Sequence, residues 1–141
     1  MTSEELLDHH RRLHAELLAS LEGLSDAQLQ EPTIDGWSVK DNLAHLAFWD
    51  DLRADEITRI SAGHASALHL DGGQDGRLNE LAYQLRRGLS LDQVRWEIDH
   101  SFRRLEAAIQ AAPSTALNPD LYGEAGLVSG HAGEHARYIV E

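Results

Sequence analysis

Residues 38–60 read SVKDNLAHLAFWDDLRADEITRI, and their spacing decides what kind of chain this is. Ser38 followed three residues later by Asp41 is the signature of a reciprocal helix N-cap, in which each side chain satisfies the other residue's backbone N–H. Behind that cap, Val39, Leu43, Leu46, Trp49, Leu52, Ile57 and Ile60 recur at helical spacing, so the stretch predicts an amphipathic α-helix running to about Ser61.

The same grammar extends in both directions. Upstream, Thr2 or Ser3 caps a first helix, with Glu4 and Glu5 at its positive end and Leu6, Leu13, Leu17, Leu21 and Leu24 as its stripe, reaching about Gly23. Ser25 with Gln28 opens one further short turn, and Pro32, Asp35 and Gly36 interrupt the pattern. Downstream, the stretch from Gly63 to Gly76 has no periodicity and reads as a long loop, followed by a short helical piece from about Arg77 to Arg87. Ser90 with Gln93 caps another helix carrying Val94, Ile98, Phe102, Leu105 and Ile109, which stops before Pro113. Pro113 and Pro119 bracket a second loop, and a last helix is expected from about Gly123 to the C-terminus, with Leu127, Val128, Tyr138 and Ile139 on one face.

Four long amphipathic segments without strand-like alternation predict an all-α fold, a four-helix bundle in a single domain over residues 1–141, antiparallel in its plainest form. Loops of about a dozen residues are longer than a simple up-down bundle needs and imply crossover connections.

With 141 residues and 42% apolar composition, the chain can bury a real core. Its 24 acidic residues against 12 Lys and Arg give a net charge of -12, which repels phosphate backbones and anionic lipid surfaces, so nucleic acid and membranes are poor partners. The opening MTSEELLDHHRRL has no basic region followed by an apolar run, and nothing is apolar enough to span a bilayer; a cytoplasmic location is the expectation. There is no cysteine, which excludes disulfides, thiolate metal sites and cysteine nucleophiles. Any metal must rest on histidine, carboxylate or water.

Histidine is therefore the residue to follow. His131 and His135 stand four apart in the middle of the apolar arc of the last helix, where two imidazoles can share one ion. His10 and His14 have the same spacing within the leucine arc of the first helix, and spacing alone gives no reason to prefer either pair. His45 lies between Trp49 and Leu52 on an apolar arc; alone, such a histidine is more often a satisfied core residue. If the first two long helices are antiparallel, His14 comes near the level of His45. His9, His64, His69 and His100 fall on polar arcs or loops. Asp50 projects among Val39, Leu43, Leu46 and Ile57, where a carboxylate needs a partner, and a structural ion pair is the plainest one.

The block from Gly36 and Trp37 through His45 to Asp50, joined to the distal His131-Ala-Gly-Glu-His135, resembles the DinB/YfiT-like superfamily. In that superfamily a helix-2 histidine eight residues after a tryptophan and an HxxxH pair on the last helix complete a metal triad. The resemblance implies that His45, His131 and His135 are the ligands, of zinc or nickel first among divalent ions, and leaves His10 and His14 as cavity lining. Around Asn79, Ser90 and Val94 the chain looks most like the DfsB/ClbS-type branch, which includes a self-protection protein that hydrolyses a reactive cyclopropane; other members are thiol-cofactor-dependent transferases and isomerases.

The resemblance therefore implies a metal-dependent enzyme, a hydrolase or a thiol transferase, acting on a small electrophilic molecule with a low-molecular-weight thiol as a candidate cosubstrate. Three neutral imidazoles leave a coordination position open, as in catalytic rather than structural sites. Asp50, Glu134 and Tyr138 are candidate helpers. The rival readings are a metal-free binding or self-resistance protein with a cavity shaped by Trp37, Trp49, Tyr83 and the histidines, and a bundle with no chemistry. Gly126, Ser129, Gly130 and Gly133 give the last helix a small-residue surface suited to close approach, consistent with a homodimer.

Overall fold

The computed structural model describes residues 1–33, 36–69, 74–123 and 126–128. Within them lie five α-helices: α1 (Ser3–Leu21), α2 (Asp26–Gln30), α3 (Val39–Ser61), α4 (Gln74–Arg86) and α5 (Leu91–Ala111). Two 3-10 turns follow, at Ser114–Ala116 and Pro119–Leu121. The fold is all-α; among the described residues the only β-pairing is an isolated bridge between Pro32 and Ser38. None of the described helices is long and apolar enough to cross a membrane.

Helix starts follow the expected chemistry. Thr2 Oγ1 accepts the Glu5 N–H at 3.1 Å, and the boxes Ser25–Gln28 and Ser38–Asp41 are both reciprocal. At α5 only half of the box forms, the Ser90 hydroxyl accepting the Gln93 N–H. Each such cap contributes about 1 kcal/mol.

Two apolar clusters stack along the bundle. One gathers Leu17, Leu29, Leu43, Leu46, Leu91, Val94 and Ile98, the other Leu6, Ala54, Ile57, Phe102, Leu105, Ile109 and Leu127. Shared membership fixes direction: α1 runs antiparallel to α3, whereas α3 and α5, the most extensively packed pair, run parallel. The all-antiparallel expectation is corrected there, because the connection through α4 returns the chain to the end where α3 began. That is the crossover implied by the loop lengths.

Two boundaries also differ from expectation. α4 begins at Gln74 rather than Arg77, with Gly76 in its first turn, where a missing side chain sacrifices little packing. No helix starts at Gly123: Gly126 has φ +68°, its N–H bonds back to Gly123 O at 3.1 Å, and no helix includes Leu127 or Val128. The expected last helix otherwise lies outside the described residues.

Candidate functional site

His45 sits on α3 two turns inside the Ser38 cap, and its side chain is buried. Just before the cap, Thr33 and Trp37 form a tight local pairing: the Thr33 N–H donates to Trp37 O at 2.7 Å and the Thr33 hydroxyl donates to the same oxygen. That pairing lays the Trp37 ring edge-on to His45, with centroids 5.3 Å apart. Trp49, one turn further along α3, closes the other side edge-on at 6.4 Å. From α4, Tyr83 stacks nearly parallel on Trp37 at 5.1 Å, and Asn79 Oδ1 accepts the Trp49 indole N–H at 2.7 Å. The result is a narrow cleft floored by Ala44 and Ala82, walled by Trp37, Tyr83 and His45, and edged by Asp41, Arg86 and Arg87.

A second small cavity lies between the two apolar clusters, where α1, α3 and α5 meet around His10, His14, Asp50 and Arg53. The expected meeting of His14 with His45 does not occur. His14 stacks on Phe102, 3.9 Å between centroids, in this second cavity, while His45 lies on the α3 face toward α4. Asp50 has the ion-pair partner its position demands, Arg53 one turn on, at 2.9 Å. Burial still raises its carboxyl to about 6, and burial likewise depresses the Arg53 guanidinium. His10 is nearly inaccessible and its Nε2 lies 2.8 Å from Leu127 O, so the Nε2–H tautomer donates there. Desolvation lowers its pKa to about 4, which keeps the ring neutral at pH 7. Arg53 Nε donates to Gly126 O at 2.8 Å. Two buried side chains from different helices thus hold consecutive backbone carbonyls.

Over residues 10–137 the sequence matches the model of the mycothiol maleylpyruvate isomerase N-terminal domain. The chain belongs to that family. The mycothiol maleylpyruvate isomerase N-terminal domain is in turn part of the DinB/YfiT-like superfamily. A crystal structure of an uncharacterised protein from Escherichia coli UTI89 has the same fold, with a TM-score of 0.77 over 98% of this chain and 88% of that one at 18% identity. No curated protein matches the sequence significantly.

Of the residues expected to form a site in this mycothiol maleylpyruvate isomerase N-terminal domain, His45, Trp37 and Tyr83 come together around one cleft, with Trp49 touching His45 from behind. His131, Glu134, His135 and Tyr138 lie outside the described residues. No group of three His, Cys, Asp or Glu residues among the described residues is placed to hold a metal ion, so a three-ligand site of these residue types would need at least one ligand beyond them.

Sequence reasoning passes over Glu56. Its side chain is 1% exposed, and the carboxylate accepts from the Arg59 guanidinium, the Ser66 hydroxyl and the Ala67 N–H. It ties the start of the α3–α4 loop to the helix it leaves. A signal exists, because Glu56 falls at helical spacing on the same arc as Trp49, Leu52 and Ile60. Arg86 and Arg87 are harder to single out, since in sequence they are simply the charged end of a short helix.

Proposed function

We propose that this domain is a metal-dependent enzyme of the DinB-like type, which uses His45, His131 and His135 to hold a zinc or nickel ion and acts on a small electrophilic molecule by hydrolysis or thiol transfer. The observation that carries the reading is the setting of His45: a histidine buried at a cleft wall, its ring oriented between two tryptophan edges rather than solvated. One imidazole is pre-oriented at the wall of a narrow cleft between α3 and α4. The match to a family named for mycothiol and maleylpyruvate isomerisation supports a low-molecular-weight thiol as cosubstrate. His45, His131 and His135 would hold the ion, which would supply Lewis acidity that lowers the pKa of a water or thiol near neutral pH. The chain's own part is to orient the imidazole and, with Trp37 and Tyr83, to shape what approaches it.

A second reading has its own support, since the aromatic cleft is complete without any metal: a binding or self-resistance protein of the DfsB/ClbS type. Elemental analysis of protein purified without a histidine tag separates the two. About one equivalent of zinc or nickel, lost on His131→Ala and on His45→Ala, is the expected result. Metal-free protein that still binds small molecules in the cleft overturns the metalloenzyme reading. Assays with a mycothiol- or bacillithiol-type donor and electrophilic substrates then distinguish transferase from hydrolase.

A further inference from the structure

The outer face of the hairpin formed by α4 and α5 is unlike the rest of the surface. Leu81, Leu85 and Trp96 are the most exposed large apolar side chains among the described residues, at 56%, 72% and 59%, and all three stand on this hairpin. The Arg86–Glu97 ion pair, at 3.1 Å, ties the end of α4 to α5 one residue on from Leu85 and from Trp96. Large apolar side chains gathered in water on one element, an exposed tryptophan among them, are characteristic of protein–protein contacts. Charge favours a second copy of the chain as the occupant. Residues 74–111 carry six acidic and six basic side chains, so the entire net charge of -12 belongs to the rest of the chain. Two copies repel each other on balance everywhere except here.

Along α5 the exposed residues are also complementary to themselves. Asp92, Trp96, His100 and Arg103 follow one another at helical spacing, on the side opposite the buried Val94, Ile98 and Leu105. The Trp96 and His100 rings stack with centroids 4.5 Å apart, and the acid and the base flank that stack at its two ends. Arg103 has no carboxylate within ion-pair range among the described residues. The Asp92 carboxylate is almost fully exposed and reaches Arg95 at 3.8 Å. Asp99 turns aside toward α1, where it comes to 4.0 Å from His14. We infer that two copies of the chain pair through this face, α5 packing antiparallel on α5 of the second copy about a two-fold axis between Trp96 and His100. Such an axis sets each Trp96 against the other copy's His100. It also brings each Asp92 to within one residue's rise, about 1.5 Å, of level with the other copy's Arg103. The tryptophans are the apolar anchors, and the two Asp92–Arg103 pairs select the antiparallel direction, because parallel pairing sets like charges side by side. None of these residues lines the His45 cleft, so the inference stands apart from the metalloenzyme reading.

Sedimentation equilibrium of the full chain over a range of concentrations reads the outcome. At about 100 μM the native protein is expected at twice its chain mass of 15.7 kDa, and Trp96→Asp, with an unchanged circular dichroism spectrum, at the mass of one chain. Asp92→Arg and Arg103→Asp each set like charges together on both sides of the axis and should weaken association at least about tenfold. Mixed in equal amounts, these two variants should form dimers again, because in a mixed pair both junctions join opposite charges. A substitution that merely disturbs α5 gives no such recovery. Native protein that stays monomeric, which leaves the face to a different partner, overturns the inference. So does a dimer that Trp96→Asp leaves intact, or a mixture of the two charge variants that does not recover.

Discussion

Asp50→Asn, followed as a function of pH, isolates the polar layer between the two apolar clusters. Burial raises the Asp50 carboxyl from 3.8 to about 6 in the folded chain. The folded state therefore binds this proton more tightly than the unfolded state does, so the associated stability is complete below pH 3.8 and is lost as pH rises through 6. At 1.36 kcal/mol per tenfold change in proton affinity the full loss is about 3 kcal/mol, of which about 2 kcal/mol falls between roughly pH 4.5 and pH 7. His10 has the opposite slope: burial lowers it from 6.5 to about 4, the unfolded chain binds the proton more tightly, and stability grows as pH rises across that interval. Its gain over the same span is also about 2 kcal/mol, and the lowered pKa of His14 adds to the same side. The native chain masks both slopes. Urea unfolding followed by circular dichroism should show the stability difference between native and Asp50→Asn shrinking by about 2 kcal/mol from roughly pH 4.5 to pH 7. Native against His10→Gln, whose amide nitrogen can still reach Leu127 O, should grow by a similar amount. Differences that stay flat with pH, or slopes of the same sign, refute the assignment of the two groups to one desolvated layer.

Three other substitutions probe single contacts. Gly123→Ala drives a methyl into Leu68 O, well inside van der Waals contact with a backbone atom that cannot turn aside, and should cost about 1–3 kcal/mol in denaturant unfolding; Gly88→Ala, which meets open space, should not. Glu56→Gln removes the charge that three donors share and should destabilise by about 2 kcal/mol, with faster amide exchange at Ala67 and Leu68. Trp49→Phe leaves Asn79 Oδ1 without the indole donor and should cost about 1 kcal/mol, read as a lower unfolding midpoint.

Much of the bundle is legible in sequence because its signals are local. Ser25–Gln28 and Ser38–Asp41 form their caps within four residues, and the leucine arc that buries His10 needs only helical periodicity. Asp50 announces its need for a partner by its place among Val39, Leu43 and Leu46, and Arg53 lies one turn away. What periodicity cannot reveal is long-range. Nothing in the sequence says that α3 and α5 run parallel, that His14 joins Phe102 rather than His45, or that Trp37 meets Tyr83 on a helix far downstream. Spacing places a residue on a face; which face meets which is decided by the crossover. Gly123 looks like a helix start in sequence, although its role is to admit the Leu68 carbonyl.

That contact between Gly123 and Leu68 also bears on how the domain tolerates change in chain length. Long surface loops ordinarily absorb insertions, since closing a slightly longer loop costs little entropy. Here the loop after α3 is pinned from below by Glu56 at Ser66 and Ala67, and its next residue meets the loop after α5 backbone to backbone. A residue added between Ala67 and His69, or between Leu121 and Gly123, displaces both loops at once, so insertions at this end of the bundle should be accepted on the other side of the pin, around Ala62–Ala65, and rejected at the crossing.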